Sequence, residues 1–382
     1  MSVSGVADLP LHTGGVPRWL WARMVKLARE VCAVVVSEYG RRELLRRLSD
    51  PFWFQALGCV LGFDWHSSGL TTVVTAALRS ALGSGELGVV VCGGKGKAAR
   101  CTPEDIERAG LRFSWSTSRV EELKRVSRLV AKVDSAALQD GFELYHHAMV
   151  VTEDGDWAVV QQGMCPNLRV ARRYHWSSES ARSMVEEPHS SIVSDVVQKV
   201  VLDLTARASR EARAACLDLV REGARRVRAQ YASVRELLRG TAPLTAWISG
   251  DEVARVRANV SVKYLRMPEE LNWEALERAY ELEPRRFEDL LLVRGLGPRT
   301  LRGLALVSLL IYGAEVSWRD PAVYALAFGG KDGVPFPVDV RAMDEAISFL
   351  GEVVRALEVG EAEKAKALRR LGLLASQVGR VE

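Results

Sequence analysis

Polar residues that could do acid–base chemistry are concentrated between residues 145 and 176. Imidazole groups exchange protons near neutral pH, and guanidinium groups can stabilise the charge that develops on a phosphodiester during cleavage. The pattern therefore predicts a phosphodiester-cleaving site, with His147 as general base or nucleophile, His175 as general acid, and an arginine stabilising the phosphate. The predicted catalytic residues are His146, His147, Gln162, Arg172, Arg173 and His175, with Gln161 beside them.

Two other interpretations of these residues stay open. Single histidines in such a sheet are often buried and simply hydrogen-bonded to neighbours. Adjacent histidines can also supply a metal ligand and a base, so Mg²⁺ or Mn²⁺ is an expected cofactor of the cleavage reaction. Candidate carboxylates for a two-metal nuclease near the hairpin are those of Asp134, Glu143 and Asp154, and most of these acids are expected to be solvated.

A second motif, Arg294-Gly295-Leu296-Gly297-Pro298, separates two apolar segments with helical spacing. Two glycines allow the backbone to come close to a phosphate, and the N-terminus of the following helix offers free N–H groups. We expect this turn to bind the DNA backbone, with countercharge from neighbouring arginines. The predicted contacts are Arg294, Gly295, Gly297, Arg299, Thr300 and Arg302. The alternative is a turn between helices that needs glycine for steric reasons alone.

A glycine-rich segment, GGKGKAAR at residues 93–100, follows an apolar strand. A strand, a glycine loop and a helix start, in this order, are typical of anion sites, and Lys95, Lys97 and Arg100 would supply the charge. The GxxxxGK[ST] pattern of a nucleotide-binding P-loop is absent. We expect a nonspecific phosphate contact here or a plain exposed turn.

Composition narrows the class of protein. The 382 residues are 48% hydrophobic and 26% charged with a net charge of +4, values typical of a folded protein. Apolar runs are too short to span a membrane, and the first residues do not resemble a secretion signal, so we expect a cytoplasmic protein without a membrane partner. Six scattered cysteines without a CxxC pair give no indication of zinc or a disulfide framework. The basic residues are mostly arginine, which fits phosphate contacts, a heat-adapted source or a GC-rich genome.

The elements that must position these groups can be read from periodicity. Helical spacing covers residues 17–47 and 51–83, a buried strand covers 86–92, and a long helix covers about 118–138. Strands at 142–151 and 156–164 flank Asp154-Gly155 and form a predicted hairpin, and a third strand covers 168–176. Beyond Ser190 we expect only helices, beginning with a long one over 191–238. The predicted fold is an α+β domain with a small antiparallel sheet, residues 1–188, followed by an all-α domain, residues 189–382, with a helix-hairpin-helix at 286–312.

The segments LLLVRGLGPRTLRGLALVSLLIYG and PFPVDVRAMDEAI together resemble the core of the helix-hairpin-helix DNA glycosylase superfamily. The resemblance implies that Asp339 stands at the place of the catalytic acid. It departs from the family at Arg299, which stands where bifunctional members carry a nucleophilic lysine. Lys331 is then the nearest amine and another DNA-contact candidate.

Across nearly the whole chain, GVADLPLHTGG, GGKGKAAR, YHHAMVV, WAVVQQGM, ARRYHW and FGGKDGVPFPVD resemble the prokaryotic, largely archaeal family known as domain of unknown function 763. The resemblance implies an intracellular protein and transfers no reaction or catalytic residue.

Our leading hypothesis is therefore a DNA-processing enzyme, in the first place a structure-specific nuclease that cuts with the histidine group and grips DNA with the glycine turn. A base-excision glycosylase using Asp339 and a DNA-binding protein without enzymatic activity are the alternatives. The sequence does not distinguish DNA from RNA, because a backbone clamp does not by itself read the sugar.

Overall fold

A five-stranded antiparallel sheet lies at the centre of the protein. The structure, a computed structural model, describes residues 18–62, 69–168, 170–194, 196–239, 266–322, 340–357 and 359–378. The strands are ordered β1-β3-β4-β5-β6, and a two-stranded ladder pairs β2 with β7. Their bounds are β1 Val89–Lys95, β2 Leu138–Gln139, β3 Glu143–Thr152, β4 Trp157–Cys165, β5 Val170–Ser177, β6 Ser191–Ser194 and β7 Leu202–Asp203.

Helices surround this sheet. The first group comprises α1 Arg18–Tyr39, α2 Arg41–Leu48, α3 Pro51–Leu61, α4 Leu70–Ala81, α5 Lys97–Arg100, α6 Thr102–Arg112 and α7 Thr117–Lys132. The second comprises α8 Arg210–Arg221, α9 Ala224–Arg239, α10 Trp273–Leu282, α11 Phe287–Leu291, α12 Pro298–Tyr312, α13 Val340–Ala356 and α14 Glu361–Val378. Local chemistry sets several of the starts: Asp50 caps α3 by accepting hydrogen bonds from the N–H groups of Phe52 and Trp53, with Pro51 in the first turn.

The two faces of the sheet are both buried, and each belongs to a different hydrophobic cluster. Successive side chains of a strand point to opposite faces of the sheet. The front face, defined by Met149, Val159 and Trp176, packs against α6–α12. The back face, defined by Ala148, Val150 and Val160, belongs to the cluster of α1–α4, α13 and α14. The result is three layers, helix–sheet–helix, with a core on each side.

The hairpin prediction is confirmed: β3 and β4 pair from Val151↔Trp157 to Glu143↔Met164 around a turn in which Gly155 has φ 84°. The mixed class with a small antiparallel sheet is also confirmed. The all-α second half is wrong, since β6 pairs with β5 and β7 pairs with β2. The long helix over 191–238 is likewise replaced by β6, β7, α8 and α9. Tertiary pairing decided these segments, because strands of two to four residues carry too little periodicity to be read locally.

The predicted boundary between residues 188 and 189 does not coincide with a break in packing. Strand β6 lies beyond it yet completes the sheet, and α13 and α14 pack against α3 from the first half. The two predicted parts thus share one sheet and both cores. Among the helices that the structure describes, none combines the length and the apolar character needed to cross a bilayer.

Candidate functional site

The strand register separates the predicted catalytic residues into two sets. His147 pairs with Gln161, which pairs with Tyr174, whereas His146 pairs with Gln162, which pairs with Arg173. Because neighbours along a strand point to opposite faces, the two rows lie on opposite sides of the sheet. The front-face row contains His147, Gln161, Arg172 and Tyr174, and the back-face row contains His146, Gln162, Arg173 and His175. The structure therefore does not bring the predicted catalytic residues together on one face of the sheet.

On the front face, His147 stands in a chain of buried hydrogen bonds. Its Nε2 is 2.9 Å from the Ser127 hydroxyl of α7, and its Nδ1 is 2.7 Å from Oε1 of Gln161. The Gln161 amide nitrogen donates to Asp134, so its oxygen must accept, which places the proton of His147 on Nδ1 and the lone pair on Nε2. Burial lowers the pKa of His147. The ring is neutral and fully engaged.

Asp134, at the end of this chain, is fully buried and receives two further donors. Nε1 of Trp176 donates to Oδ2 over 3.0 Å, and Nε2 of His189 is 2.6 Å from Oδ1. A buried carboxylate needs such donors, since an unpaired charge in the core is costly. The sequence pointed to Asp134 as a solvated acid near the hairpin, and the structure places it inside.

On the back face, the other two histidines contact the N-terminal helices. Nε2 of His146 is 3.1 Å from the Thr75 hydroxyl of α4, and Nδ1 of His175 is 3.2 Å from the Leu48 carbonyl at the end of α2. Burial, together with the charges of His147 and Lys95, lowers the pKa of His146 to about 3. Burial, with the charge of Arg173, holds the pKa of His175 well below its usual range. Both rings are neutral at physiological pH.

The arginines and the remaining glutamine also have internal partners. Arg172 is fully buried and bonds Asp140 over 2.9 Å and Asp320 over 2.6 Å. Arg173 donates from both terminal nitrogens to Oε1 of Gln55 over 3.1 Å, and Gln162 donates to the Tyr145 hydroxyl over 2.6 Å. Five of these partners were not predicted from the sequence: Ser127, Thr75, Gln55, Asp140 and Asp320. They lie between 20 and 148 residues from the side chains they contact, and no local signal marks them.

These contacts are those of a hydrogen-bonded core. His147 and His175 are buried on opposite faces of the sheet, so the catalytic assignment stays a prediction that this geometry does not favour. Within the residues the structure describes, there is no group of three or more His, Cys, Asp or Glu side chains that could hold a metal ion. The expected Mg²⁺ or Mn²⁺ therefore stays a prediction too.

The glycine-rich loop lies at the surface. Lys95, Lys97 and Arg100 are exposed, and Lys95 lies above the Tyr145 ring at 5.9 Å. Gly93, Gly94 and Gly96 all have positive φ, a backbone conformation that favours glycine whether or not a ligand binds. Helix α5 is only one turn long, so its N-terminus adds little to a phosphate site.

The second glycine segment, which we call the glycine turn (residues 293–298), joins α11 to α12 and is held in place by side chains of other elements. Its carbonyl oxygens accept hydrogen bonds from other parts of the protein. Arg278 donates to Arg294 O over 3.1 Å, Asn272 to Gly295 O over 3.1 Å, and Lys132 to Leu296 O over 3.0 Å. Gln139 similarly donates to Pro298 O over 2.8 Å.

The N–H groups of the glycine turn are arranged differently. Within the described part of the chain, those of Gly295, Gly297 and Arg299 have no hydrogen-bond partner. Leu296 is buried as the anchor of the turn, whereas Arg294 and Arg299 are exposed. The turn therefore presents backbone donors and cationic side chains together.

Two predicted DNA contacts, Thr300 and Arg302, do not fit this surface as expected, and two further predicted residues lie outside the described part of the chain. Thr300 is buried, and its hydroxyl accepts from Asn272 N over 3.1 Å. Arg302 donates to Arg266 O over 3.0 Å and lies near the Trp318 ring, and burial lowers its pKa. Lys331 and Asp339, which carry the glycosylase hypothesis, lie outside the described residues.

The glycine turn and the glycine-rich loop lie at the same end of the sheet. Gln139 of β2 contacts the turn. Strand β3 begins shortly after Gln139, and His146 lies near the start of β3. His146 pairs with Lys95, the last residue of β1, from which the glycine-rich loop continues. Exposed lysines and arginines from distant parts of the sequence thus gather at one end.

Together, the fold and this surface define a three-layer protein with a buried polar sheet and a cationic, donor-rich end. The chain belongs to the family described as "Protein of unknown function (DUF763)", whose model matches residues 5–338, as the sequence resemblance implied. No curated protein and no solved structure matches the chain.

Proposed function

We propose that this protein binds the phosphate backbone of a nucleic acid, in the first place DNA, through the glycine turn, which acts as a helix-hairpin-helix element. The observation that carries the proposal is the one-sided use of the turn's hydrogen-bonding groups. Side chains of Lys132, Gln139, Asn272 and Arg278 donate to its carbonyls. The N–H groups of Gly295 and Gly297, and that of Arg299 just after the turn, have no partner among the described residues.

This arrangement suits a phosphate for an electrostatic reason. Carbonyl oxygens facing the ligand would repel an anion, and here they are neutralised from behind by side-chain donors, two of them cationic. The N–H groups lie at the N-terminus of α12, a helix of 15 residues whose dipole also favours an anion. The same contact recurs at every nucleotide, so the predicted recognition is independent of sequence.

The charges around the glycine turn support the same reading. Arg294 and Arg299 are exposed, and Glu274 lies 3.7 Å from Arg278, which offsets its charge. Lys95, Lys97 and Arg100 extend the basic surface at this end of the sheet. Net charge is +4 for the whole chain, so the local concentration of charge, and not the total, would attract the backbone.

A direct test measures binding of labelled duplex, single-stranded and flap DNA by fluorescence anisotropy at several salt concentrations. We expect binding that weakens as salt rises, and the double variant Arg294→Ala/Arg299→Ala should lower the slope of log K against log salt by about 2, one unit for each lost phosphate contact. The control Arg18→Ala/Arg182→Ala removes the same charge from exposed positions elsewhere and should leave the slope near the wild-type value.

Glycine substitutions separate the backbone donors from the charges. A Cβ added at Gly297 meets no atom within 4 Å and φ is −109°, so Gly297→Ala should fold normally while its methyl group obstructs the donors. We expect DNA binding to weaken by about tenfold, equivalent to roughly one lost charge-assisted hydrogen bond. Gly360→Ala, an open position before α14, is the matched control. Unchanged binding by both turn variants would refute the proposal.

The same DNA substrates can be tested for cleavage in a separate measurement. End-labelled strands with Mg²⁺, Mn²⁺ or chelator report a nuclease, and strand breaks at damaged bases after alkali report a glycosylase. Binding without any product would leave a backbone-binding protein. RNA of the same shapes, added as a competitor, decides which nucleic acid is preferred.

A further inference from the structure

A cleft of about 400 Å³ lies at the opposite end of the sheet, away from the glycine turn. It opens between the α2–α3 junction and the end of β5, on the side of the back face. A volume of this size is in the range of small-molecule sites. The cleft shares no lining residue with the glycine turn or the glycine-rich loop, so it would serve a different ligand.

Hydroxyl groups dominate the polar lining of this cleft. Ser177 and Ser180 lie 2.8 Å apart, and Ser180 donates to Ser190 over 3.3 Å, which forms a short hydroxyl chain along one wall. Ser49 on the opposite wall donates to Arg46 O over 2.8 Å and keeps its lone pairs for a ligand donor. Pro51 and Phe52 add an apolar surface.

One hydroxyl in the lining is unexplained by the fold. The Ser191 side chain is 4% exposed and lines the cleft, and its Oγ has no hydrogen-bond partner among the described residues. A buried hydroxyl without a partner costs free energy. His175 lies directly opposite Ser191 on β5, and its Nε2 is likewise buried without a partner in the described part of the chain. Two buried polar groups without a partner therefore lie on directly paired residues of β5 and β6 beside the cleft.

Asp50 contributes an acceptor of defined orientation. Its Oδ1 caps α3 by accepting from Phe52 N over 2.8 Å and Trp53 N over 3.1 Å, and no described residue donates to its Oδ2. Burial raises the pKa of Asp50 above its usual value. A carboxylate held in this way can accept from a ligand hydroxyl.

The charged groups at the cleft are mostly paired with one another. Arg46 donates two hydrogen bonds to Glu43, over 2.7 and 2.6 Å, and Arg42 donates to Asp156 over 2.7 Å, while Glu179 at the rim faces both guanidinium groups. An anion would meet the carboxylates of Asp50 and Glu179, and the lining arginine, Arg46, is already paired with Glu43. A neutral molecule with several hydroxyls fits both the charge and the hydroxyl lining.

We propose that this cleft binds a neutral polyol the size of a monosaccharide, held by Ser191, Asp50 and Ser49. The ligand hydroxyls would satisfy Ser191 Oγ and donate to Oδ2 of Asp50, while its carbon skeleton packs against Pro51 and Phe52. The proposal is independent of DNA binding, because it uses no residue of the glycine turn.

The test is a ligand-observed NMR and calorimetric titration of the full-length protein with D-glucose, D-ribose and glycerol. We expect saturable binding of a monosaccharide with a dissociation constant on the order of 1 mM, and weaker binding of the smaller glycerol. Ser191→Ala should weaken the binding by about tenfold without lowering stability, since its hydroxyl makes no bond within the described protein. Asp50→Asn, which keeps the helix cap, should also weaken it.

Ser37→Ala, which removes an exposed hydroxyl on α1, is the matched control and should bind as the wild type does. The proposal fails if neither sugar binds saturably, or if Ser191→Ala binds them as tightly as the wild type. Tighter binding of inorganic phosphate than of both sugars would overturn the assignment of a neutral ligand.

Discussion

His147 holds its proton on Nδ1 because Gln161 is itself fixed by Asp134. Gln162, Arg172 and Arg173 are likewise hydrogen-bonded to neighbouring side chains, and together these groups make a polar core that is costly to disturb. The residue types and their alternation along the strands were visible in the sequence. The partners were not: Asp320 lies 148 residues from Arg172 and Gln55 lies 118 from Arg173, and such contacts exist only after folding.

The neutral histidines make stability depend on pH. The pKa of His146 is about 3 in the folded protein, against 6.5 for an exposed histidine. Below pH 6.5, His146 binds a proton in the unfolded chain but stays neutral in the folded protein. The free energy of unfolding therefore falls as pH falls. For His146 alone we expect a loss of about 2 kcal/mol between pH 7 and pH 5.

Urea unfolding of the wild type and of His146→Gln at both pH values measures this effect. The glutamine can still bond Thr75 but cannot titrate, so its loss of stability between pH 7 and pH 5 should be smaller by about 2 kcal/mol. Equal losses in the two proteins would mean that His146 is protonated in the folded state.

At the scale of elements, long or strongly patterned segments were predictable and short ones were not. The β3–β4 hairpin followed from alternation around Asp154-Gly155, and its register agrees with that reading. Strands β6 and β7 have four and two residues, and only pairing with β5 and β2 makes them strands. The sequence predicted helical structure over 51–83, but α3 ends before Gly62, which has a left-handed backbone with φ 101°.

A glycine in β1 tests how closely β1 packs against β3 and α6. Gly93 has φ +87°, and a Cβ there would overlap His147 O and lie 2.5 Å from Oγ1 of Thr102. Gly93→Ala should therefore lower the free energy of unfolding by about 3 kcal/mol, combining backbone strain with overpacking. Gly313→Ala, with φ +68° but no atom within 4 Å, has strain alone and should lose only about 1 kcal/mol. Denaturant midpoints of the two variants compare them, and similar losses would show that the approach of β3 is not tight.

At the scale of the whole molecule, the sequence suggested two domains because histidines, tryptophans and strands concentrate in the first half. Composition reports which residues are present, and it does not report which face they cover. The sheet takes its last strand from beyond residue 188, and α13–α14 return from the end of the chain to pack on α3. A change of composition along a chain therefore need not mark a change of folding unit.

This packing predicts that the protein folds as one unit. Cutting between residues 188 and 189 would remove β6, the helices α8–α12 over the front face and the pair α13–α14 over the back face. Residues 1–188 expressed alone should then lack a cooperative unfolding transition, because apolar positions on both faces of the sheet would be exposed to water. Hydrogen exchange of the full chain should open Val150 on the back face and Val159 on the front face with the same free energy. A fragment 1–188 that unfolds cooperatively by itself, or two faces that open with clearly different free energies, would instead establish the two folding units that the sequence suggested.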